Sequence, residues 1–257
     1  MVLQLITRYM IGSLFLVLIS PAIGSFLALL ADRLPRGEDV LLARSACRSC
    51  KRPLGAGDLI PLVSFVLSNG RCRSCGAPIP PWLLYMEILA IGCAVVAIIL
   101  SQTTTEAWLS AVFLWVLLTL VASDLLSFRL PDPLTGALLV TALALAWLTP
   151  HVTPADALLG AAIGAGSFWL LRWGYYRLRG REGLGMGDVK LMAGLGAALG
   201  PYELPLMLLL ASVTALAVAL AGRARSPHAL RPTRPLPFGA ALAAASAVLW
   251  VSLRLSG

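Results

Sequence analysis

The sequence predicts an all-α polytopic membrane protein, and both its composition and its patterning indicate this class. Of its 257 residues, 59% are hydrophobic and only 12% are charged, and the mean hydropathy is +0.87. A soluble domain carries about 25% charged residues. The apolar residues are gathered into separate runs, most of them close to the ~20 residues that cross a bilayer as a helix. This pattern excludes a soluble enzyme built around one core.

The first apolar run, residues 9–30, predicts a retained transmembrane helix within residues 1–31. A cleaved signal peptide is the alternative. The run is long for a signal peptide, only Arg8 precedes it as a basic residue, and no small-x-small cleavage site clearly follows it. The polar segment that comes next, residues 32–81, is the only stretch able to form a small domain outside the membrane.

Seven further apolar runs predict about eight transmembrane helices in total, with residues 82–257 forming a seven-helix membrane bundle. The run after Asp188 is short, so it can span only inside the bundle or by extending through the glycines before it. The seven runs cover residues 82–100, 107–123, 133–148, 155–173, 189–199, 203–221 and 237–253.

The distribution of basic residues predicts the orientation. With eight spans, the loops after spans 1, 3, 5 and 7 share one side, and every Lys and Arg except Arg8 and Arg254 lies in or beside them. The positive-inside rule makes those loops cytoplasmic. The net charge of +8 then reflects loops near anionic lipid, including an irregular basic segment at residues 223–235, and no nucleic-acid partner is expected.

Four of the five cysteines form two C-x-x-C pairs in the cytoplasmic segment. They are Cys47 with Cys50 and Cys72 with Cys75, in similar turn-like contexts, whereas Cys93 stands alone in an apolar run. Two such pairs about twenty residues apart favour one structural Zn²⁺ with four thiolate ligands over a redox role. A reducing compartment supports the same interpretation. The sequence therefore predicts a small zinc-bound cytoplasmic domain between helices 1 and 2.

Two aspartates are predicted to lie at the cytoplasmic ends of membrane helices. Asp124 ends the third run, and Asp188 opens the sixth among the glycines Gly185 and Gly187. An acid in such a position is a candidate functional group, because it is expensive there. Two carboxylates at equal depth can share a proton and activate water against a peptide carbonyl.

Structural explanations compete with this chemistry. Asp132, followed by Pro133, fits a helix N-cap, and Asp188 also suits the positive end of a helix. Asp124 at a helix C-terminus opposes the dipole, so the dipoles favour Asp188 as the ionised base and Asp124 as the carrier of the shared proton. Lys190 either anchors the helix at the interface or tunes the aspartate pair.

The chain resembles the bacterial type IV prepilin peptidases, also called leader peptidase/N-methyltransferases, which are membrane aspartic proteases of the GxGD type. Five blocks occur in the family's order. They are Gly24-Ser-Phe-Leu with Arg33-Leu-Pro35, the double C-x-x-C segment, Asp124 with Leu130-Pro-Asp132, Gly185-x-Gly187-Asp188-x-Lys190, and Leu236-Pro-Phe-Gly239.

The resemblance implies catalysis by Asp124 and Asp188, zinc on the four paired cysteines, and a bacterial inner-membrane location. It implies cleavage of prepilin or pseudopilin leaders at the cytoplasmic face, followed by methylation of the new N-terminus from S-adenosylmethionine. Gly185, Gly187 and Lys190 are expected to form the motif that the substrate approaches. One departure concerns methylation: the family's Tyr-Pro-x-x-Glu segment is reduced here to Glu87 without the Tyr-Pro pair.

Two other functions remain as alternatives. An ion- or proton-coupled transporter would also use intramembrane carboxylates, but it is expected to hold them near the midplane between repeated halves. A non-enzymatic scaffold carrying a zinc domain would not need either aspartate.

Overall fold

A computed structural model describes residues 2–40, 42, 44–181, 183–225 and 236–256. Within these residues the chain is helical and forms no β-strand. Most of the predicted basic segment 223–235 lies outside them. The helices are α1 (Val2–Arg33), α2 (Val63–Leu67), α3 (Pro81–Ile99), α4 (Thr104–Ser127), α5 (Asp132–Leu148), α6 (Pro154–Arg179), α7 (Met186–Leu199), α8 (Leu204–Arg225) and α9 (Phe238–Ser256), with two 3₁₀ turns at Leu34–Arg36 and Ala56–Asp58.

Six helices of the described chain are long and apolar enough to cross a membrane. The all-α membrane architecture is therefore confirmed, but the predicted number of eight spans is not. Helix α5 has 17 residues and α7 has 14, which is shorter than the ~20 that a bilayer requires. The six are Tyr9–Arg36, Pro81–Ile99, Thr104–Ser127, Pro154–Arg179, Leu204–Gly222 and Phe238–Ser256.

The chain divides into two compact units, at residues 1–111 and 112–257. In the first unit α1 packs along α3, and the cysteine-containing segment connects them. The hydroxyl of Tyr9 donates to the carbonyl oxygens of Ile98 (2.8 Å) and Ser101 (3.1 Å), which fixes one end of the pair. The division into residues 1–31, 32–81 and 82–257 stays a prediction.

In the second unit α7 is the central helix and packs against α5, α6 and α9. Leu191, Met192 and Leu195 have no exposed surface. This burial explains how a helix of 14 residues belongs to an apolar bundle: its side chains face other helices.

The crossing of α6 and α7 depends on two glycines. A Cβ atom on Gly160 would collide with the carbonyl group of Gly196, and one on Gly196 would collide with that of Gly160. Only glycine allows two helix backbones to approach so closely. A Cβ atom on Gly166, which is also part of α6, would have no atom of another helix within 4 Å.

We expect Gly160→Ala to destabilise the bundle by about 1–3 kcal/mol, because the added methyl group forces α6 away from α7. The measurement is unfolding of the purified protein in detergent. Gly166→Ala is the matched control, and it should be neutral or stabilising by up to ~1 kcal/mol because alanine favours helix. Equal stability of the two variants would contradict the close crossing.

Candidate active site and metal centre

Asp124 lies in the last turn of α4 and is buried, with 6% of its surface exposed. Its carboxylate oxygen Oδ2 accepts the backbone N–H of Ala240 at 2.7 Å, and the N–H of Gly239 also donates to the carboxylate. Both N–H groups belong to the first turn of α9, where they have no partner inside their own helix. The carboxylate of Asp124 therefore caps α9 from outside.

The segment after Asp124 turns sharply. Phe128 adopts a left-handed conformation, with φ +53°, which is uncommon for a residue other than glycine. The hydroxyl of Ser123 donates to the carbonyl of Arg129 at 2.7 Å and holds this turn in place. As a result of this turn, Leu130 lies against the first turns of α7 and α9.

Asp188 is the third residue of α7 and is half-buried. Its backbone N–H donates to the carbonyl of Gly185 at 3.2 Å, and its carboxylate accepts the N–H of Gly185 in return. Gly185 occupies the N-cap position, so Asp188 is not itself the N-cap. It lies one turn further in, at a position where a carboxylate still benefits from the positive end of the helix.

The two aspartates are brought together through Leu130. A Cβ atom added at Gly187 would lie 3.1 Å from Cβ of Leu130, and one added at Gly239 would lie 2.9 Å from its Cδ1 atom. The charge of Asp124 acts on Asp188, so the two carboxylates are close enough to interact. The glycine positions let α7 and α9 close around Leu130, with an aspartate on each side.

Asp132 and Lys190 form an ion pair beside this site, with 2.6 Å between Nζ and Oδ2. The prediction that Asp132 is an N-cap was wrong. Helix α5 begins at Asp132 itself, Pro131 is the N-cap residue, and the Asp132 side chain makes no capping hydrogen bond. The carboxylate turns to Lys190 instead. Both side chains are substantially exposed, so the pair contributes little to stability.

The three residues that we expect the substrate to approach, Gly185, Gly187 and Lys190, already contact other groups of the protein. Gly185 lies beside the Asp188 carboxylate, Gly187 packs against Leu130, and Lys190 is occupied by Asp132. The role of the motif in substrate binding stays a prediction. Sequence reasoning missed Gly239 and Ala240 as partners of Asp124. The available signal was the Pro237-Phe-Gly239 block at the beginning of the last apolar run, which marks a helix start.

The four paired cysteines converge on one point. The sulfur atoms of Cys47, Cys50, Cys72 and Cys75 all lie within 4.8 Å of one another, and 3.9 Å separates those of Cys47 and Cys75. Four thiolates around one Zn²⁺ at ~2.3 Å are separated by about 3.8 Å from each other. The residues present therefore fit a zinc ion. Cys93 is not part of the cluster.

The two cysteine turns repeat the same backbone pattern. The N–H of Lys51 donates to the carbonyl of Cys47, and the N–H of Gly76 donates to that of Cys72, both at 2.9 Å. The N–H groups of Cys75 and Ser74 point at the Cys72 sulfur and lower the pKa of its thiol to about 6. Backbone N–H groups likewise lower the pKa of Cys47. The N–H of Ala77 lowers the pKa of Cys75, but desolvation and the sulfurs of the other three cysteines raise it to about 11. The backbone of the turns therefore favours the metal-binding thiolate form at the first cysteine of each pair.

The chain is thus a helical membrane protein with two neighbouring aspartates in one unit and, in the other, four cysteines that could hold a metal ion. Comparison with known sequences identifies its family. The chain belongs to the type IV leader peptidase family. Residues 111–220 match that family, and residues 18–101 match the bacterial peptidase A24 N-terminal domain. The protein is therefore an enzyme of a protease family, and its apolar helices and family make it an inner-membrane protein.

Three similar proteins carry the name prepilin leader peptidase/N-methyltransferase. The one from Aeromonas salmonicida (strain A449) is 38% identical over 84% of this chain and 76% of its own length. That from Aeromonas hydrophila is 36% identical over 91% and 89%, and that from Klebsiella pneumoniae is 38% identical over 78% and 91%. No solved structure matches the chain.

We expect Cys72→Ser to abolish stoichiometric zinc binding, because three thiolates leave the tetrahedral shell incomplete. Atomic absorption on the purified protein measures the zinc content. Cys93→Ser is the matched control and should retain one zinc per chain. Retention of a full zinc equivalent by Cys72→Ser would show that the metal is held elsewhere.

Proposed function

We propose that this protein is an intramembrane aspartyl endopeptidase that removes the leader of type IV prepilin-like proteins at the cytoplasmic membrane face. The proposal extends to methylation of the new N-terminus from S-adenosylmethionine, as the names of the relatives state for those proteins. The juxtaposition of Asp124 and Asp188 carries the peptidase part. Basic residues in the loops on their side of the membrane support the cytoplasmic orientation.

In the resting enzyme Asp124 is the ionised aspartate and Asp188 carries the proton. This reverses the assignment that the sequence analysis drew from the helix dipoles at Asp124 and Asp188. The reason is the first turn of α9, whose N–H groups of Gly239 and Ala240 stabilise a negative charge on Asp124. A neutron structure that located the deuteron on Asp124 would refute this assignment.

Peptide hydrolysis then follows from the two protonation states. The Asp124 carboxylate accepts a proton from water as the water oxygen attacks the scissile carbonyl carbon. Asp188 gives its proton to the carbonyl oxygen. Asp124 subsequently passes the proton that it accepted to the leaving amine, and Asp188 recovers its own when the carbonyl re-forms.

An apolar rim surrounds the aspartates. Leu125 and Phe128 follow Asp124, Met186 precedes Asp188, and all three side chains are about half exposed. These side chains suit contact with the apolar helix of a prepilin, whose junction with the polar leader would then lie at the depth of the carboxylates. The position of both acids in terminal helical turns does not favour the transporter alternative, which needs them near the midplane.

Asp124→Asn and Asp188→Asn should each lower the rate of leader release from a prepilin-like peptide by about 10²–10⁴-fold, the usual contribution of general acid–base catalysis. Asp132→Asn is the matched control, since it removes an exposed carboxylate from the same region. It should keep activity within a few-fold because its ion pair is a surface contact. Undiminished leader release by either variant of the pair would end the aspartyl mechanism.

Gly239→Val should reduce kcat by about 10–100-fold, because a side chain here meets Asp124 Oδ2 at 3.2 Å and disturbs hydrogen bonds to a charged group. Steady-state kinetics on the prepilin-like peptide measures the effect. Gly136→Val, on α5 in open space, is the control and should leave kcat unchanged. Normal kcat in Gly239→Val with an intact fold would show that the contact with α9 does not matter for catalysis.

A further inference from the structure

The unit formed by residues 112–257 contains a cavity of about 250 Å³. It lies between the last turns of α5, α7 and α9, beside the starts of α6 and α8. Asp188 is in the first turn of α7, whereas the cavity reaches Gly200, just after the last residue of that helix. At 1.5 Å per residue, about 18 Å of helix separates them. The cavity is therefore distinct from the candidate active site.

Arg254 is the most unusual group of this cavity, because it is a charged residue with only 9% of its surface exposed. Its guanidinium lies over the ring of Trp250, 4.1 Å from the ring centroid, and donates to the hydroxyl oxygen of Thr149 at 3.2 Å. Thr149 in turn donates to the carbonyl of Leu145 at 2.9 Å. These contacts hold the guanidinium in one orientation. Its planar fork of N–H donors suits the oxygens of a phosphate or a carboxylate.

Two carboxylates line the same cavity. Asp156 is in the first turn of α6, where its Oδ2 atom accepts the hydroxyl of Thr153 at 2.7 Å. Glu203 directly precedes α8. Acids are favourable at the positive start of a helix, and Arg254 is favourable at the negative end of α9. The helix ends therefore place both signs of charge around one cavity.

This mixture of charges selects the chemistry of a ligand. A simple anion would be attracted by Arg254 but repelled by the two carboxylates, and a simple cation would meet the opposite balance. A zwitterion that carries a phosphate and an amine is attracted by both. The other titratable side chains of the lining, His151 and Tyr202, are exposed. The buried charge that a ligand must match is therefore that of Arg254.

The position of the cavity favours a lipid as the source of this zwitterion. Lipid headgroups lie where membrane-spanning helices end. Tyr202, which lines the cavity, is 82% exposed, and Trp147 in the last turn of α5 is 77% exposed. Exposed Tyr and Trp side chains are typical of the membrane–water interface. The cavity is smaller than the ~300–1,000 Å³ of most small-molecule sites, which suits a headgroup whose acyl chains stay outside in the bilayer.

We propose that this cavity binds the headgroup of phosphatidylethanolamine, a phospholipid with a primary amine. Arg254 binds the phosphate, and the carboxylates of Asp156 and Glu203 bind the ammonium group. A primary ammonium donates N–H groups to these oxygens, whereas the trimethylammonium of phosphatidylcholine has none to donate. Phosphatidylglycerol carries the phosphate without an amine. The bound headgroup ties the starts of α6 and α8 to the end of α9.

The first test compares lipids. Native mass spectrometry of the purified, zinc-loaded protein in detergent gives Kd values for phosphatidylethanolamine, phosphatidylcholine and phosphatidylglycerol with the same acyl chains. The Kd for phosphatidylethanolamine should be at least fivefold lower than either of the others. Equal Kd values would mean unselective lipid contact and would overturn the proposal. Tightest binding of phosphatidylglycerol would assign the cavity to an anion and would overturn it as well.

The second test fills the cavity. Val152 lines it from the turn before α6, whereas Ala155 on α6 is exposed and lies outside the lining. Val152→Trp should raise the Kd for phosphatidylethanolamine at least tenfold, and Ala155→Trp should leave it within twofold. The same Kd in both variants would place the lipid elsewhere and refute the assignment to this cavity.

The third test concerns the ammonium group. The ratio of the Kd for phosphatidylcholine to that for phosphatidylethanolamine reports on it, because the two lipids share the phosphate. Glu203→Gln should lower this ratio at least threefold, since the amide has no charge to attract the amine. Asp132→Asn, which removes an exposed carboxylate at the opposite end of α5, should leave the ratio unchanged. An unchanged ratio in Glu203→Gln would contradict the role given to Glu203.

A soluble headgroup separates a lipid from a free phosphate ester. Glycerophosphoethanolamine carries the same phosphate and amine without acyl chains. In isothermal titration of the same protein it should bind at least tenfold more weakly than the lipid, and Val152→Trp should abolish that binding. Binding as tight as that of the lipid would identify a soluble phosphate ester as the ligand and would overturn the lipid assignment.

Discussion

The arrangement of the aspartates depends on one hydrogen bond, from the N–H of Ala240 to the carboxylate of Asp124. It joins residues 116 positions apart in the sequence and ties the end of α4 to the start of α9. Without it, a carboxylate at the C-terminal end of α4 would face the negative end of its own helix. With it, the positive end of another helix compensates the charge. The small size of Gly239 is a condition for this contact, because a larger side chain meets both Asp124 and Leu130.

The second aspartate is held by different means. Asp188 opens a helix that is too short to cross a bilayer and that is surrounded by α5, α6 and α9. The backbones at Gly160 and Gly196 approach so closely that α7 has little freedom to slide along α6. Its first turn is therefore fixed relative to Leu130 and α9. Packing of small residues deep in the bundle, and not a local turn, sets the position of this carboxylate.

The sequence was sufficient for those features that depend on local composition or spacing. The six long apolar helices and the meeting of Cys47, Cys50, Cys72 and Cys75 follow from run length and from paired C-x-x-C spacing. Hydropathy alone does not distinguish a helix that faces lipid from a short apolar helix that is buried among other helices. The predicted number of eight membrane-spanning helices is therefore not confirmed. The capping role of Asp132 failed because Lys190, 58 positions away, competes for its side chain. Likewise, no local pattern reveals that the start of α9 meets Asp124.

The four-cysteine cluster bears on the proposed mechanism of peptide hydrolysis. A shell of four cysteine thiolates occupies every position of tetrahedral zinc, so such an ion has no site left for water and cannot supply a metal-bound nucleophile. Such an ion would instead help to close a segment with few large apolar side chains into two matching turns. In the proposed mechanism the activation of water therefore falls to the carboxylates. The proposed charge on Asp124 is then held by the first turn of α9, whose Ala240 N–H donates to the carboxylate.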